Sequence, residues 1–172
     1  MDKLTLEHLA PYLPYGLKVE TPKGLHTLKG IDTVFDAIGL CYWLDGNKEV
    51  SFSIDCKPVL RPLSDLIKVI EYDGRKFIPM HRLKDGGTYL NEFRFLEWKG
   101  YSAIDNEEHE TCYDPETMSF NQFYRGDSRM CTKQYEKMQL LFKWHFDVFG
   151  LIEKGLAIDI NSIEGKETKG NG

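Results

Sequence analysis

Three groupings in this chain have residue types that could support chemistry. His109-x-x-Cys112, flanked by Glu108 and Glu110, has the spacing of half a metal site. A structural zinc needs four ligands in two close pairs, and the sequence holds no second pair. A calcium loop would suit the carboxylates better, but its glycine and ligand pattern is missing. Asp85 with Glu97-Trp98-Lys99 loosely imitates the acid…acid-x-lysine set of metal-dependent nucleases. There, carboxylates on adjacent strands hold a divalent ion and the lysine steadies the attacking water. Glu164-Gly165-Lys166 repeats the same spacing, which shows how easily it arises. His145 and Asp147 form the third grouping, but two residues apart on a helix they point in different directions. His145 sits among apolar residues and reads as a hydrogen-bonded core histidine rather than a general base.

His8, His26 and His81 have no nucleophile or carboxylate in a recognisable pattern. No G-x-S-x-G, H-E-x-x-H, P-loop or dinucleotide fingerprint is present. The residues therefore argue for no catalytic set, no metal and no cofactor. A small metal-dependent nuclease or hydrolase built on Asp85, Glu97 and Lys99 stands as the alternative, as does a nucleic-acid-associated protein.

What remains is a surface that could hold a partner. Tyr89, Phe93, Phe95, Trp98 and Tyr101 crowd one stretch, and Asp105, Glu107, Glu108, Glu110, Asp114 and Glu116 follow without a Lys or Arg between them. The whole chain carries a net charge of −5; without those six carboxylates it has 22 basic and 21 acidic residues. The acidity thus reads as one local patch on a neutral scaffold, suited to a basic surface such as the nucleic-acid channel of a bacterial defence enzyme. Direct nucleic-acid binding is not expected, because the aromatic run has a thin basic escort (Arg94, Lys99) and no RNA-sheet signature. Tyr89, Phe93, Phe95, Trp98, Tyr101, Asp105, Glu107, Glu108 and Glu110 are the candidate partner-binding residues, although core packing is the ordinary use of such aromatics.

The elements that must position them fit one α+β domain over 1–163, with a disordered tail over 164–172. At 172 residues the chain can bury about 70% of its unfolded surface without disulfide or metal. Cys41, Cys56, Cys112 and Cys131 form no C-x-x-C pair and read as free thiols. No stretch approaches the roughly 20 apolar residues of a membrane span, and no signal pattern opens the chain, so a cytoplasmic setting is expected.

Thr5 should cap a helix to about Ala10, ended by Pro11, Pro14 and Gly16. Hairpins are expected around Thr21-Pro22-Lys23-Gly24, Asp45-Gly46 and Asp73-Gly74, with Val50, Phe52 and Ile54 alternating along one strand. Ser64 should cap a short helix to about Val69. Asp114 followed by Pro115 and Glu116 predicts a further helix that Gly126 stops. Tyr135, Met138, Leu141, Phe142, His145 or Phe146, Phe149 and Ile152 keep helical spacing, so a long helix from about Thr132 to Lys154 is expected. Gly150 would lie inside that helix and Gly155 at its C′ position, before a strand over Leu156–Ile160. The resulting picture is an antiparallel meander packed on a long C-terminal helix, with 84–129 as an irregular acidic and aromatic insert.

Three blocks carry a likeness: Leu6-Glu7-His8-Leu9-Ala10-Pro11-Tyr12-Leu13-Pro14-Tyr15-Gly16-Leu17-Lys18, Lys57-Pro58-Val59-Leu60-Arg61-Pro62-Leu63-Ser64-Asp65-Leu66, and Trp144 to Asn161. Together they resemble a family of small proteins of phages and prophages of gut Bacteroidales, with 84–129 as its variable insert. The resemblance brings no activity and no catalytic residues. It implies a bacterial virus or integrated element acting inside a bacterial host cell, such as Bacteroides. The absence of a complete catalytic set, with acidity and aromatics concentrated in one segment, leads to the expectation of a non-enzymatic accessory protein that binds a host or phage protein through that segment, with its oligomeric state left open.

Overall fold

The computed structural model describes residues 3–22, 24–33, 40–44, 47–52, 56–84, 92–95, 100–106, 109–124 and 127–167. In chain order its elements are α1 (Leu6–Leu9), a 3-10 turn (Ala10–Tyr15), β1 (Lys18–Thr21), β2 (Gly24–Thr33), β3 (Leu40–Leu44), β4 (Asn47–Phe52) and β5 (Lys57–Leu60). A second 3-10 turn (Leu63–Ile67), β6 (Ile70–Tyr72), β7 (Arg75–Phe77) and α2 (Pro79–Leu83) follow. Then come β8 (Glu92–Phe95), β9 (Tyr101–Asn106), β10 (His109–Asp114), β11 (Ser119–Tyr124) and β12 (Asp127–Met130). The chain closes with α3 (Gln134–Lys143), β13 (Ile158–Asp159) and α4 (Ile160–Glu167). The class is α+β, with several antiparallel sheets and few helices. The chain divides into two compact units, Met1–Pro62 with Phe142–Gly172, and Leu63–Leu141.

The first unit is built on a sheet of order β13-β5-β1-β2-β3-β4. Its first turn is set by Thr5, whose N–H donates to His8 Nδ1 at 3.2 Å and so closes the helix start. Pro11 and Pro14 deny the next turns their N–H donors, and Gly16 at φ +69° releases the chain into β1. β1 pairs antiparallel with both β2 and β5, while β13 lies parallel to β5 with Ile158 opposite Val59. The alternation of β1 sends Val19 and Thr21 inward. Val19 joins Leu9, Tyr12, Leu17, Leu28, Cys56, Leu60, Leu151 and Ala157 in one buried cluster. Each fully buried leucine there contributes about 2 kcal/mol.

The expected long C-terminal helix is not what the chain forms. α3 stops at Lys143, because His145 takes a left-handed φ of +59° and turns the backbone out of the helix. A run of turns replaces the rest. Within it Trp144, Phe146, Asp147, Val148 and Leu151 are buried, whereas Phe149 and Ile152 of the expected stripe are half-buried. Part of the helical spacing survives the break, since Trp144, Val148 and Leu151 still turn inward, but Phe146 and Asp147 between them do so as well. Gly155, at φ +69°, does end the last turn as a C′ residue: its N–H donates to Ile152 O at 3.0 Å and that of Leu156 to Leu151 O at 2.8 Å. Gly150 is not an interior helical residue but a second left-handed turn, at φ +64°.

The second unit replaces the expected irregular insert with an ordered sheet. β12, β11, β10, β9 and β8 form an antiparallel meander in that order. Period-two patterning fades in β10 because the strand is central and buried on both faces: Thr111, Cys112 and Tyr113 are all buried. The helix expected after Asp114 is a hairpin turn. Asp114 Oδ1 accepts the N–H of Glu116 at 2.9 Å and Oδ2 accepts the Thr117 hydroxyl at 2.8 Å, after which Met118 at φ +49° leads into β11. The same capping chemistry starts a helix or closes a turn, and Pro115 suits both. The Asp73-Gly74 hairpin forms as expected, with both residues left-handed at φ +52° and +68° and Ile70 opposite Phe77. The helix expected from Ser64 is a 3-10 turn over Leu63–Ile67. Positions 45, 46 and 53–55 of the other expected hairpin and strand lie outside the described residues.

Candidate functional site

His145 and Asp147 are brought close in the first unit, but as structural parts. His145 Nε2 lies 3.0 Å from the Tyr15 carbonyl, which can only accept, so Nε2 carries the hydrogen. Burial holds the imidazole below its usual pKa; the Tyr15 carbonyl opposes this and Arg61 adds to it. The backbone on either side is tied to Arg61: its N–H donates to His145 O at 2.7 Å, and Asp147 N–H donates to Arg61 O at 2.8 Å. Tyr12 adds its hydroxyl to Phe146 O at 2.6 Å. Asp147 turns inward, where its two carboxylate oxygens accept the N–H groups of Leu151 and Ile152, each at 2.8 Å. Burial raises its pKa, while these two N–H donors and Lys154 oppose the rise and Glu153 supports it. The group has neither a free oxygen nor solvent access for proton transfer, and it works as a cap.

In the second unit, His109 and Cys112 both lie on β10. The pairing with β9 shifts register between His109 and Glu110, and Cys112 is fully buried in the sheet. The Cys112 thiol is pushed up to about 12, first by burial and then by Glu110, which makes it a poor nucleophile at neutral pH. Cys56 is pushed up to about 11 by burial, and Cys56, Cys112 and Cys131 are buried thiols outside any disulfide. No group of three or more His, Cys, Asp or Glu able to hold a metal occurs among the described residues. Asp85, Glu97 and Lys99, the alternative nuclease set, lie outside them.

The candidate partner-binding residues divide by position. Tyr89, Trp98, Glu107 and Glu108 fall outside the described residues. Phe93 and Phe95 sit on β8, Tyr101 and Asp105 on β9, and Glu110 on β10. Strand register places Phe95 opposite Tyr101, Tyr101 opposite Tyr113, and Tyr113 opposite Phe120. This row of aromatic positions crosses four strands, and its β10 and β11 members are core: Tyr113 and Phe120 are fully buried, with ring centroids 4.8 Å apart. Tyr113 and Phe120 extend the aromatic run beyond the stretch that sequence spacing singled out.

The acidic stretch also changes on folding. β9 and β10 are a hairpin, so Asp105 and Glu110 lie near its loop, whereas Asp114 and Glu116 lie at the far end of β10. Three strand residues, Thr111 to Tyr113, stand between Glu110 and Asp114 at about 3.3 Å per residue, so the single linear patch becomes two. The hairpin end gains two acids from elsewhere, since Glu92 pairs with Ile104 on β8 and Asp127 with Tyr124 at the start of β12.

At the opposite end of the sheet a side-chain knot joins β11, the end of β12 and α3. Gln134, the first residue of α3, accepts the Phe120 N–H through Oε1 at 2.8 Å and donates from Nε2 to Phe120 O and to Cys131 O. Around that knot in sequence stand Met118, Met130 and Tyr135, which expose 43%, 65% and 73% of their surface. Tyr135 lies on α3, within the helix that its spacing predicted, whereas Met118 falls in the turn that replaces the helix expected after Asp114. No protein-family model, characterised protein or solved structure matches the chain.

Proposed function

We propose that this chain is a non-enzymatic accessory protein of a phage or integrated element. It binds a basic surface on a host or phage protein through the hairpin end of the five-stranded sheet. The observation that carries this reading is the register of that sheet, which gathers Glu92, Asp105, Glu110 and Asp127 at one end. Groups far apart in the chain thereby share one edge, and clustered like charge steers a complementary partner. The blocks that resemble Bacteroidales phage proteins supply the setting, and a defence enzyme with a basic channel is the partner class of choice.

The test is capture from a Bacteroides lysate with the intact chain and with the D105N/E107Q/E108Q/E110Q variant. A basic protein enriched by the intact chain and lost with the variant supports the reading. Identical captured sets would remove the role assigned to the acidic end.

A further inference from the structure

β12 is an edge strand whose four residues are all exposed. We infer that it is a self-association strand, pairing antiparallel with β12 of a second copy of this chain about a two-fold axis at Ser128, so that Asp127 of each copy meets Arg129 of the other. This inference does not rest on the partner-binding reading above, although Asp127 enters both; it rests on hydrogen-bond phase and charge order in β12.

The phase comes from the neighbouring strand. Cys131 N–H donates to Phe120 O at 2.9 Å, so that pair lies in a hydrogen-bonded position of the antiparallel ladder. Alternation then makes Arg129 with Gln122 and Asp127 with Tyr124 hydrogen-bonded pairs, and leaves the N–H and C=O of Ser128 and Met130 pointing away from β11. The two-residue connection between Tyr124 and Asp127 demands the same phase. A docking strand must therefore meet Ser128 and Met130.

Only three two-fold registers satisfy that rule. Ser128 opposite Met130 of the second copy puts Arg129 on Arg129, a like-charge pair that is unfavourable. Met130 opposite Met130 leaves Arg129 facing Cys131 and makes no charge pair within the strand. Ser128 opposite Ser128 sets Asp127 against Arg129 twice, at non-hydrogen-bonded positions where side chains approach most closely. Arg129 lies on that face: its Nε and Nη2 donate to Gln122 Oε1 on β11 at 3.2 and 2.8 Å, which holds the guanidinium over β11 and leaves Nη1 as the nitrogen that would meet a carboxylate. Charges on an edge strand ordinarily discourage pairing. Here the order Asp-x-Arg is self-complementary in one of the allowed registers, so it selects a second copy instead.

The experiment is sedimentation velocity on the full chain, with near-UV circular dichroism to confirm that each variant is folded. A short edge buries little surface, so the dimer should form at on the order of tens of micromolar. Ser128→Pro removes an outward N–H without touching the ladder to β11, and should weaken the dimer at least ~10-fold. D127R creates two like-charge pairs and should do the same, whereas D127R/R129D restores both pairs and should return to within ~3-fold of the parent. A chain that stays monomeric to about 200 µM, well above that expected range, overturns the inference. So does a dimer that ignores Ser128→Pro, or a double swap that fails to rescue while D127R is folded.

Discussion

Asp147 is 4% exposed, and each of its carboxylate oxygens holds one backbone N–H. Removing it leaves two buried donors without an acceptor. Asp147→Ala should therefore cost about 2–4 kcal/mol in urea unfolding. Asp147→Asn should cost less, since its one oxygen can keep one of the two. Equal losses for the two variants would show that the carboxylate is not acting as a double cap. His145 offers a pH test. Its folded pKa lies below the 6.5 of the free group, so its contribution is complete above pH 6.5 and is lost as pH falls toward the folded value. Asp147 acts in the other direction: its folded pKa is raised above 3.8, so the cost of burying its charge eases as pH falls through that folded value. His145→Asn removes the imidazole yet tolerates the left-handed backbone. The melting-temperature advantage of the parent over His145→Asn should shrink between pH 7.5 and 5.5, and parallel pH curves for the two proteins would rule the coupling out.

At the scale of elements, glycines decide between a continuous helix and a string of turns. In a continuous helix, Gly150→Ala would add about 1 kcal/mol of stability. At φ +64° it should instead remove about 1 kcal/mol. No heavy atom lies within 4 Å of an added Cβ at either Gly150 or Gly155, so both substitutions report the backbone alone. Gly155→Ala should fall in the same range, and a gain in melting temperature for Gly150→Ala would restore the helix. Much of the rest was legible from local chemistry: the Thr5 start, the Pro11–Gly16 exit, the Asp73-Gly74 hairpin and Gly155 as a helix-type stop. Two errors have physical causes. Asp114-Pro115 has the same donors and acceptors whether it opens a helix or a turn, and only the strand pairing on both sides distinguishes them. The break at His145 is held by non-local bonds to Tyr15 and Arg61 that no window around residue 145 contains. The acidic stretch was visible as composition, but its division between two ends of a sheet depends on register.

For the molecule as a whole, the first unit closes only through the end of the chain. Leu9, Tyr12, Leu17, Val19 and Leu60 share their cluster with Leu151 and Ala157, and β5 gains β13 as its parallel neighbour. A chain cut after Lys143 loses Phe146, Asp147 and that strand together. Amide exchange should then show β1 and β5 without slow protons, while the β10 and β11 amides keep theirs. Uniform loss of protection in all four strands would mean that the two units do not hold their stability separately. Contacts between such distant parts of the sequence also predict slow folding, because the long loop must close before they form.

The bond pair around Arg61 also bears on how such a chain could be assembled or diversified. Arg61 and Phe146 form a parallel bridge, so the backbone leaves one unit at Pro62 and returns at Phe142 between two anchored points. The stretch between them can be treated as a cassette, entered after Pro62 and left through α3, which runs on across Phe142. Different cassettes could be exchanged at those two junctions while Tyr12, Arg61 and Asp147 keep the frame. The parallel sense sets one limit on such swaps: a direct splice of Pro62 to Phe142 cannot reverse the chain, and the shortest viable cassette is a crossover of about a dozen residues.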